Sequence, residues 1–177
     1  VSTDDDEIAT ESEAHGAQVL WRPANLGLDS TSTEDVITHH LLDELVGAVQ
    51  SLCVIQCTSP FIRPEHLLAA MDLLDARDVS SVFSATPNHS FRWEESTNGQ
   101  WVPQGHSKKF RPRRQDLPPV VIESGAFYAF DVKTFLDERT RFCGDSAAFP
   151  VGRIESLEID DFEDLAMANA LAPLFDN

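Results

Sequence analysis

The 177 residues carry 30 Asp and Glu against 13 Lys and Arg, a formal net charge of −17 at pH 7, which leaves no positive footprint for a nucleic acid backbone. A hydrophobic fraction of 42% suits one globular domain over residues 1–177 with a sizeable core; no apolar run approaches the roughly 18 residues that span a bilayer, so neither a membrane segment nor a secretory signal is read. Cys53, Cys57 and Cys143 match neither a disulfide framework nor zinc spacing and read as reduced, core-type cysteines of a cytoplasmic protein.

In chain order, Val1 to Thr3 reads as the tail of a strand. Asp4, Asp5 and Asp6 open a helix that ends at Gly16. Gln18 to Trp21 is a short strand. Ser32 or Thr33 caps a helix whose apolar residues Val36, Ile37, Leu41, Leu42 and Leu45 follow helical spacing. Ser51 to Gln56 is a continuous apolar run, expected as a fully buried strand holding Cys53 and running on to Cys57, and the Thr58-Ser59-Pro60 turn closes it. Pro64 starts a helix with Leu67, Leu68, Met71 and Leu74 on one side. Val79 to Ala85 is a strand, and Phe91 to Glu95 with Gln100 to Val102 form a hairpin about Asn98-Gly99. A loop rich in proline and charge spans 104–119, so residues 86–119 are expected to project as hairpin plus basic loop. Val120 to Phe130 is a strand broken at Gly125. A helix from Val132 to about Arg139, a loop through Gly144 to Pro150, a strand near Leu157 to Ile159 and a helix from Phe162 to Leu174 follow. Strands alternating with helices predict an α/β domain with a mostly parallel sheet covered on both faces.

In such a sheet ligands lie beyond the carboxyl ends of the strands, and several chemically competent groups fall there. Gln56 emerges from an apolar strand, with the hydroxyls of Thr58 and Ser59 after it. Arg22 ends the strand before the Ser-Thr-rich segment that holds Ser32 and Thr33. Side chains two apart in an extended segment share a face, so Glu158 and Asp160 can aim at one point while Leu157 and Ile159 turn inward. One or two carboxylates completed by phosphate oxygens and water is the ligand set of Mg2+. Asp160, Asp161, Glu163 and Asp164 equally suit the positive end of the following helix. Five of the 13 cations lie between Lys108 and Arg114, as an anion-binding loop or a solvated one. The histidines, including His39 and His40, show no ligand spacing and no Ser-His-Asp pattern.

Taken together, the blocks Val1-Ser-Thr-Asp-Asp5, Trp21-Arg-Pro-Ala-Asn25, Val54-Ile-Gln-Cys-Thr-Ser-Pro60, Arg113-Arg-Gln-Asp-Leu-Pro118 with Glu123-Ser-Gly-Ala-Phe-Tyr128, and Leu157-Glu-Ile-Asp160 with Glu163-Asp-Leu165 resemble the acylneuraminate cytidylyltransferases. Those enzymes join an acidic sugar to CMP using CTP. The resemblance implies a three-layer, Rossmann-like nucleotide-diphospho-sugar transferase fold with a projecting β-hairpin arm. It also implies transfer of CMP from CTP to a nonulosonic or other 2-keto sugar acid, with loss of pyrophosphate. By position it assigns Arg22 and Ser32 or Thr33 to the nucleotide, Gln56 to the sugar beside Thr58 and Ser59, and Arg92 and Arg114 to anionic groups. Gln115, Ser124 and Gly125 fall to the sugar, and Asp160 with Glu158 to Mg2+. A homodimer in which each hairpin arm reaches the partner's site is implied as well.

Departures from the family pattern are Cys57 for proline, Ser124 for asparagine, Ile122 for arginine and Glu158 for aspartate. The family's opening strand and basic phosphate loop would precede Val1, so the sequence is expected to start at the family's second strand. A truncated, non-catalytic homologue that keeps the fold and dimer contacts is the alternative expectation, and a glycosyltransferase of similar fold with its metal at Asp4-Asp5-Asp6 a third.

Overall fold

Short apolar runs separated by well-capped helices build the chain. The computed structural model describes residues 1–45, 47–76 and 78–175. Strand β1 (Ser2–Thr3) leads into helix α1 (Asp6–Ala14), where the Asp5 carboxylate accepts from the N–H groups of Glu7 and Ile8. Gly16 closes this helix at φ +81°, a backbone conformation that glycine adopts without steric cost. Strand β2 (Leu20–Trp21) pairs in parallel with β1. Helix α2 (Thr33–Asp43) is capped by the Ser32 hydroxyl, which accepts from the Asp35 N–H. Strand β3 (Ser51–Ile55) precedes helix α3 (Pro64–Ala76), strand β4 (Ser81–Asn88) and the hairpin β5 (Arg92–Glu95) with β6 (Trp101–Gln104). Strand β7 (Val120–Asp131), helix α4 (Val132–Glu138), strand β8 (Ser146–Pro150) and helix α5 (Phe162–Leu171) complete the order. None of these helices is long and apolar enough to cross a membrane.

The central sheet has the order β3-β7-β4-β8. β7 runs against both of its neighbours, and β4 and β8 are parallel. The α/β class holds, with a mixed sheet in which β3, β4 and β8 share a direction. β7 is the spine. Ala126, Phe127 and Ala129 pack on one face with Ala70 and Leu74 of α3 and Val82 of β4. Tyr128 and Phe130 pack on the other face with Ile37 and Leu41 of α2 and Phe135 of α4. This alternation places helices on both faces and makes three layers. Phe130 and Phe135 stack at a centroid distance of 4.7 Å, both fully buried.

Five expectations are corrected. β3 is apolar along its length but only half-buried, and Ile55 is 52% exposed, because β7 is its sole ladder neighbour among the described residues. Cys57 lies exposed beyond the strand. In α3 the buried stripe runs through Ala70 and Leu74, while Leu68 is 68% exposed. Residues 146–150 form a strand where a loop was expected, and 157–159 form none. The latter segment is tied to its neighbour by one backbone bond, Ile159 N–H to Thr58 C=O at 2.8 Å.

Candidate active site

A break in the β4–β7 ladder creates the site. Phe83 pairs with Tyr128 and Ala85 with Glu123, so Ser84 alone faces the four residues Ser124 to Phe127. The Ser84 hydroxyl fills this bulge, accepting from the Phe127 N–H at 3.0 Å and donating to the Phe127 C=O at 3.2 Å. The backbone N–H and C=O of buried Phe127 thereby both find a partner in one side chain. At the bulge Gly125 takes φ +72°. A Cβ built there would stand 2.8 Å from the Glu158 carboxylate oxygens, so the missing side chain is what admits that carboxylate. Thr58 Oγ1 donates to the same group at 3.3 Å.

The segment bearing Glu158 is therefore held against the end of β3. The Ile159 N–H donates to Thr58 C=O at 2.8 Å, and the Gln56 N–H donates to Ala126 C=O at 2.9 Å. These bonds bring Gln56, Thr58, Gly125 and Glu158 into one neighbourhood and set Asp160 at its rim. Asp160 is exposed, and its N–H donates to Asp164, which with Asp161 forms the capping box of α5. Asp161 and Asp164 thus serve the helix. Glu158 and Asp160, two residues apart on one segment, remain free of that cap; among the described residues no group of three or more His, Cys, Asp or Glu is arranged to hold a metal. A two-carboxylate site fits Mg2+, which completes its shell with phosphate oxygens and water, and does not fit a closed zinc site.

Beside this point, at the carboxyl ends of β4 and β8, lies a cavity of about 490 Å³. Thr86, Asn88 and His89 form the β4 side, Glu123 and Ser124 the β7 side, and Arg114, Arg153 and Ser156 reach in from the flanking loops. Ser124 is 7% exposed, and its hydroxyl has no partner among the described residues. Tyr128 donates to the Glu123 carboxylate. Burial and the adjacent Glu123 charge push the Tyr128 hydroxyl well above its ordinary range, so it stays a donor. Arg141 lies over the Tyr128 ring at 4.4 Å and pairs with Glu34 of α2 at 2.9 Å. Burial raises Cys53 and Cys143 to about 11, which keeps both as thiols.

Of the residues singled out in the sequence, Arg114, Ser124 and Gly125 meet at this cavity and its bulge, and Gln56, Thr58 and Glu158 adjoin them. Ser59 is buried beside them, its hydroxyl unpartnered. Arg92 lines a smaller neighbouring cavity of about 70 Å³ at the hairpin base instead. Gln115 is exposed and lines neither cavity. Its neighbours explain this, since the 114–116 turn is fixed by the Arg113–Asp116 ion pair at 2.8 Å and directs Arg114 inward. Arg22 pairs with Asp4 at 3.4 Å near the end of β2, and Ser32 and Thr33 sit at the start of α2. Thr86, Asn88, His89, Arg153 and Ser156 went unread in the sequence. Arg153 and Ser156 follow β8, the strand that sequence patterning missed.

A cytidylyltransferase family model matches residues 1–135. The chain belongs to the cytidylyltransferase family. It is 34% identical over 163 residues to N-acylneuraminate cytidylyltransferase A of Danio rerio, covering 90% of this chain and 37% of that protein. To N-acylneuraminate cytidylyltransferase of Oncorhynchus mykiss it is 38% identical over 133 residues, covering 73% and 30%. The chain thus spans roughly a third of the length of these relatives. Its fold is similar to that of a 4-diphosphocytidyl-2C-methyl-D-erythritol synthase from Anaerococcus prevotii (TM-score 0.65, 17% identity, 97% of this chain and 78% of that one). A CMP:2-keto-3-deoxy-manno-octonic acid synthetase complexed with CTP is comparable (TM-score 0.63, 15% identity, 99% and 80%). These neighbours share the α/β fold of this chain.

Proposed function

We propose that this chain forms part of a cytidylyltransferase that transfers CMP from CTP to a nonulosonic or other 2-keto sugar acid and releases pyrophosphate. The observation that carries the reading is the convergence at one rim of the Glu158 carboxylate, seated over Gly125, with a polar cavity bearing Arg114 and Arg153. The anomeric hydroxyl of the sugar acid attacks the α-phosphorus and gives up its proton to solvent, and the bond to pyrophosphate breaks as the new P–O bond forms. Alignment and charge compensation supply most of the catalysis in such a transfer.

Each side chain has a separable task. Glu158 and Asp160 would hold Mg2+, which when bound neutralises phosphate charge and lowers the barrier to attack. Thr58 fixes the Glu158 carboxylate by its hydrogen bond. Arg114 compensates anionic charge in the cavity, and Gln56 and the unpartnered Ser124 hydroxyl orient the sugar. Arg22, with Ser32 or Thr33, belongs to the nucleotide side. Exposed Trp93, Trp101, Val102 and Phe110 on the hairpin and following loop suit contact with a second copy of the chain, so the enzyme is a homodimer in this reading.

The test is pyrophosphate release by the purified protein supplied with CTP, MgCl2 and a panel of nonulosonic acids. Turnover is expected, with Asp160→Ala lowering kcat/KM by at least about a hundredfold, the scale of one lost electrostatic contact at the transition state. Calorimetric CTP binding without turnover on any acid would instead identify a non-catalytic homologue. An Asp160→Ala variant with unchanged kcat/KM would remove the carboxylate pair from the mechanism.

A further inference from the structure

We propose that Arg153 is a substrate-binding residue that grips the carboxylate of the sugar acid; this rests on the cytidylyl-transfer reading above. The turn that carries it is fixed at each end. The Val151 N–H donates to Ala85 C=O, and the Ser156 N–H to Gly152 C=O, both at 2.9 Å. Ser156 Oγ donates to the Arg153 carbonyl at 3.0 Å, and the Gly152 N–H donates to Glu155 Oε2 at 2.8 Å. The other Glu155 oxygen takes Arg63 at 2.9 Å. The nearest acid in sequence is thus committed elsewhere, while the backbone beneath Arg153 is held still.

The guanidinium itself is uncompensated. Among the described residues neither Arg153 nor Arg114 forms an ion pair, although the chain carries 30 acidic residues. Asp116 is taken by Arg113, and Glu123, the carboxylate of the cavity, accepts from Tyr128. Two unpaired guanidinium groups in one cavity, beside the buried and unpartnered Ser124 hydroxyl, make a site for an anion with several oxygen acceptors.

Substrate chemistry selects which anion Arg153 takes. In a 2-keto sugar acid the carboxylate is attached to the same carbon as the reacting hydroxyl. Its binding group must therefore lie close to the metal-binding carboxylates. Arg153 and Ser156 stand on the loop that leads directly into Glu158 and Asp160, whereas Arg114 enters from the separate 114–116 turn. A planar fork at Arg153 matches a carboxylate in two-point contact, and a lysine would offer only a point charge.

The test separates this inference from the reading beneath it. In steady-state assays with a sugar acid that the wild type turns over, Arg153→Ala should raise KM for the sugar acid by about 10- to 100-fold, the size of a lost charge-assisted hydrogen bond. KM for CTP should stay within about twofold, and Arg153→Lys should fall between the two enzymes. Arg153 is exposed at the surface of its loop, so both variants should melt with the wild type. An unchanged KM for the sugar acid, or a rise confined to CTP, overturns the assignment while leaving cytidylyl transfer standing. A wild type that turns over none of the acids removes the reading and this inference together.

Discussion

The two sides of the molecule are held together by different chemistry. Around β7, apolar clusters cover both faces of the sheet and the Phe130–Phe135 stack closes one of them. At β1 and β2 the contacts are polar. Ser2 Oγ meets His40 Nε2 of α2 at 2.7 Å, and Arg22 pairs with Asp4, while among the described residues buried Arg22 Nε has no hydrogen-bond partner and His40 Nδ1 has only Glu44 at 3.5 Å. The contrast shows where rigidity is spent. The carboxylate and arginine loops of the site adjoin the apolar side, to which α2 is also joined through Ile37 and Leu41, whereas β1 and β2 are joined through Arg22–Asp4 and through His40, whose strength as a partner depends on its protonation.

The largest expected effect breaks the apolar side. Phe130→Ala removes a fully buried ring and should cost about 3–5 kcal/mol in urea unfolding; a loss below about 1 kcal/mol would mean that β7 is not the stabilising spine. Gly125→Ala is next. It forces a side chain into φ +72° and against the Glu158 carboxylate, at a strain of about 1–3 kcal/mol. Because the collision falls on Glu158, activity should drop more steeply than stability, and a variant with wild-type kcat/KM would show that this carboxylate has no role in transfer.

The smallest effect concerns the polar side and is set by pH. His40 is 5% exposed. Burial lowers its pKa first, opposed by Glu44 at 3.5 Å and assisted by His39 and Arg22. With the folded value below the unfolded one of 6.5, the unfolded chain binds more protons as pH falls. The contribution of neutral His40 is therefore fully present above pH 6.5 and is lost as pH drops through the folded value. Hydrogen exchange, corrected for intrinsic rates, should accelerate at the β1–β2 amides between pH 7.5 and 5.5 while β7 amides stay protected. His40→Gln, which keeps a polar group near Ser2 but does not titrate, should flatten that change. An equal acid response in His40→Gln would place the switch elsewhere.

Much of this was readable from residues because helix starts and buried strands are local phenomena. Ser32, Pro64, Gly16 and the apolar run of β7 announced their elements through capping, fixed φ and continuous hydrophobicity. The break at Gly125 was visible as a glycine inside a strand. β8 was not visible, since Ser146-Ala-Ala-Phe-Pro150 is short and ends in proline, and it exists through its parallel ladder with β4. The opposite error occurred at Leu157 to Ile159, whose alternation looked like a strand but finds only the Thr58 carbonyl. Among candidate-site residues, Arg114, Ser124 and Glu158 were singled out by motif position. Arg153 was hidden behind the unread strand.

By itself the sequence determined the α/β class and the cytidylyltransferase resemblance and set Glu158 and Asp160 two residues apart in one segment, because composition, periodicity and short motifs act over neighbouring residues. Tertiary structure alone decided the reversed direction of β7, the seating of Glu158 over Gly125 and the meeting of Arg114 with Arg153. Those outcomes depend on ladder register and on contacts between segments far apart in the chain, for which no local pattern carries a signal.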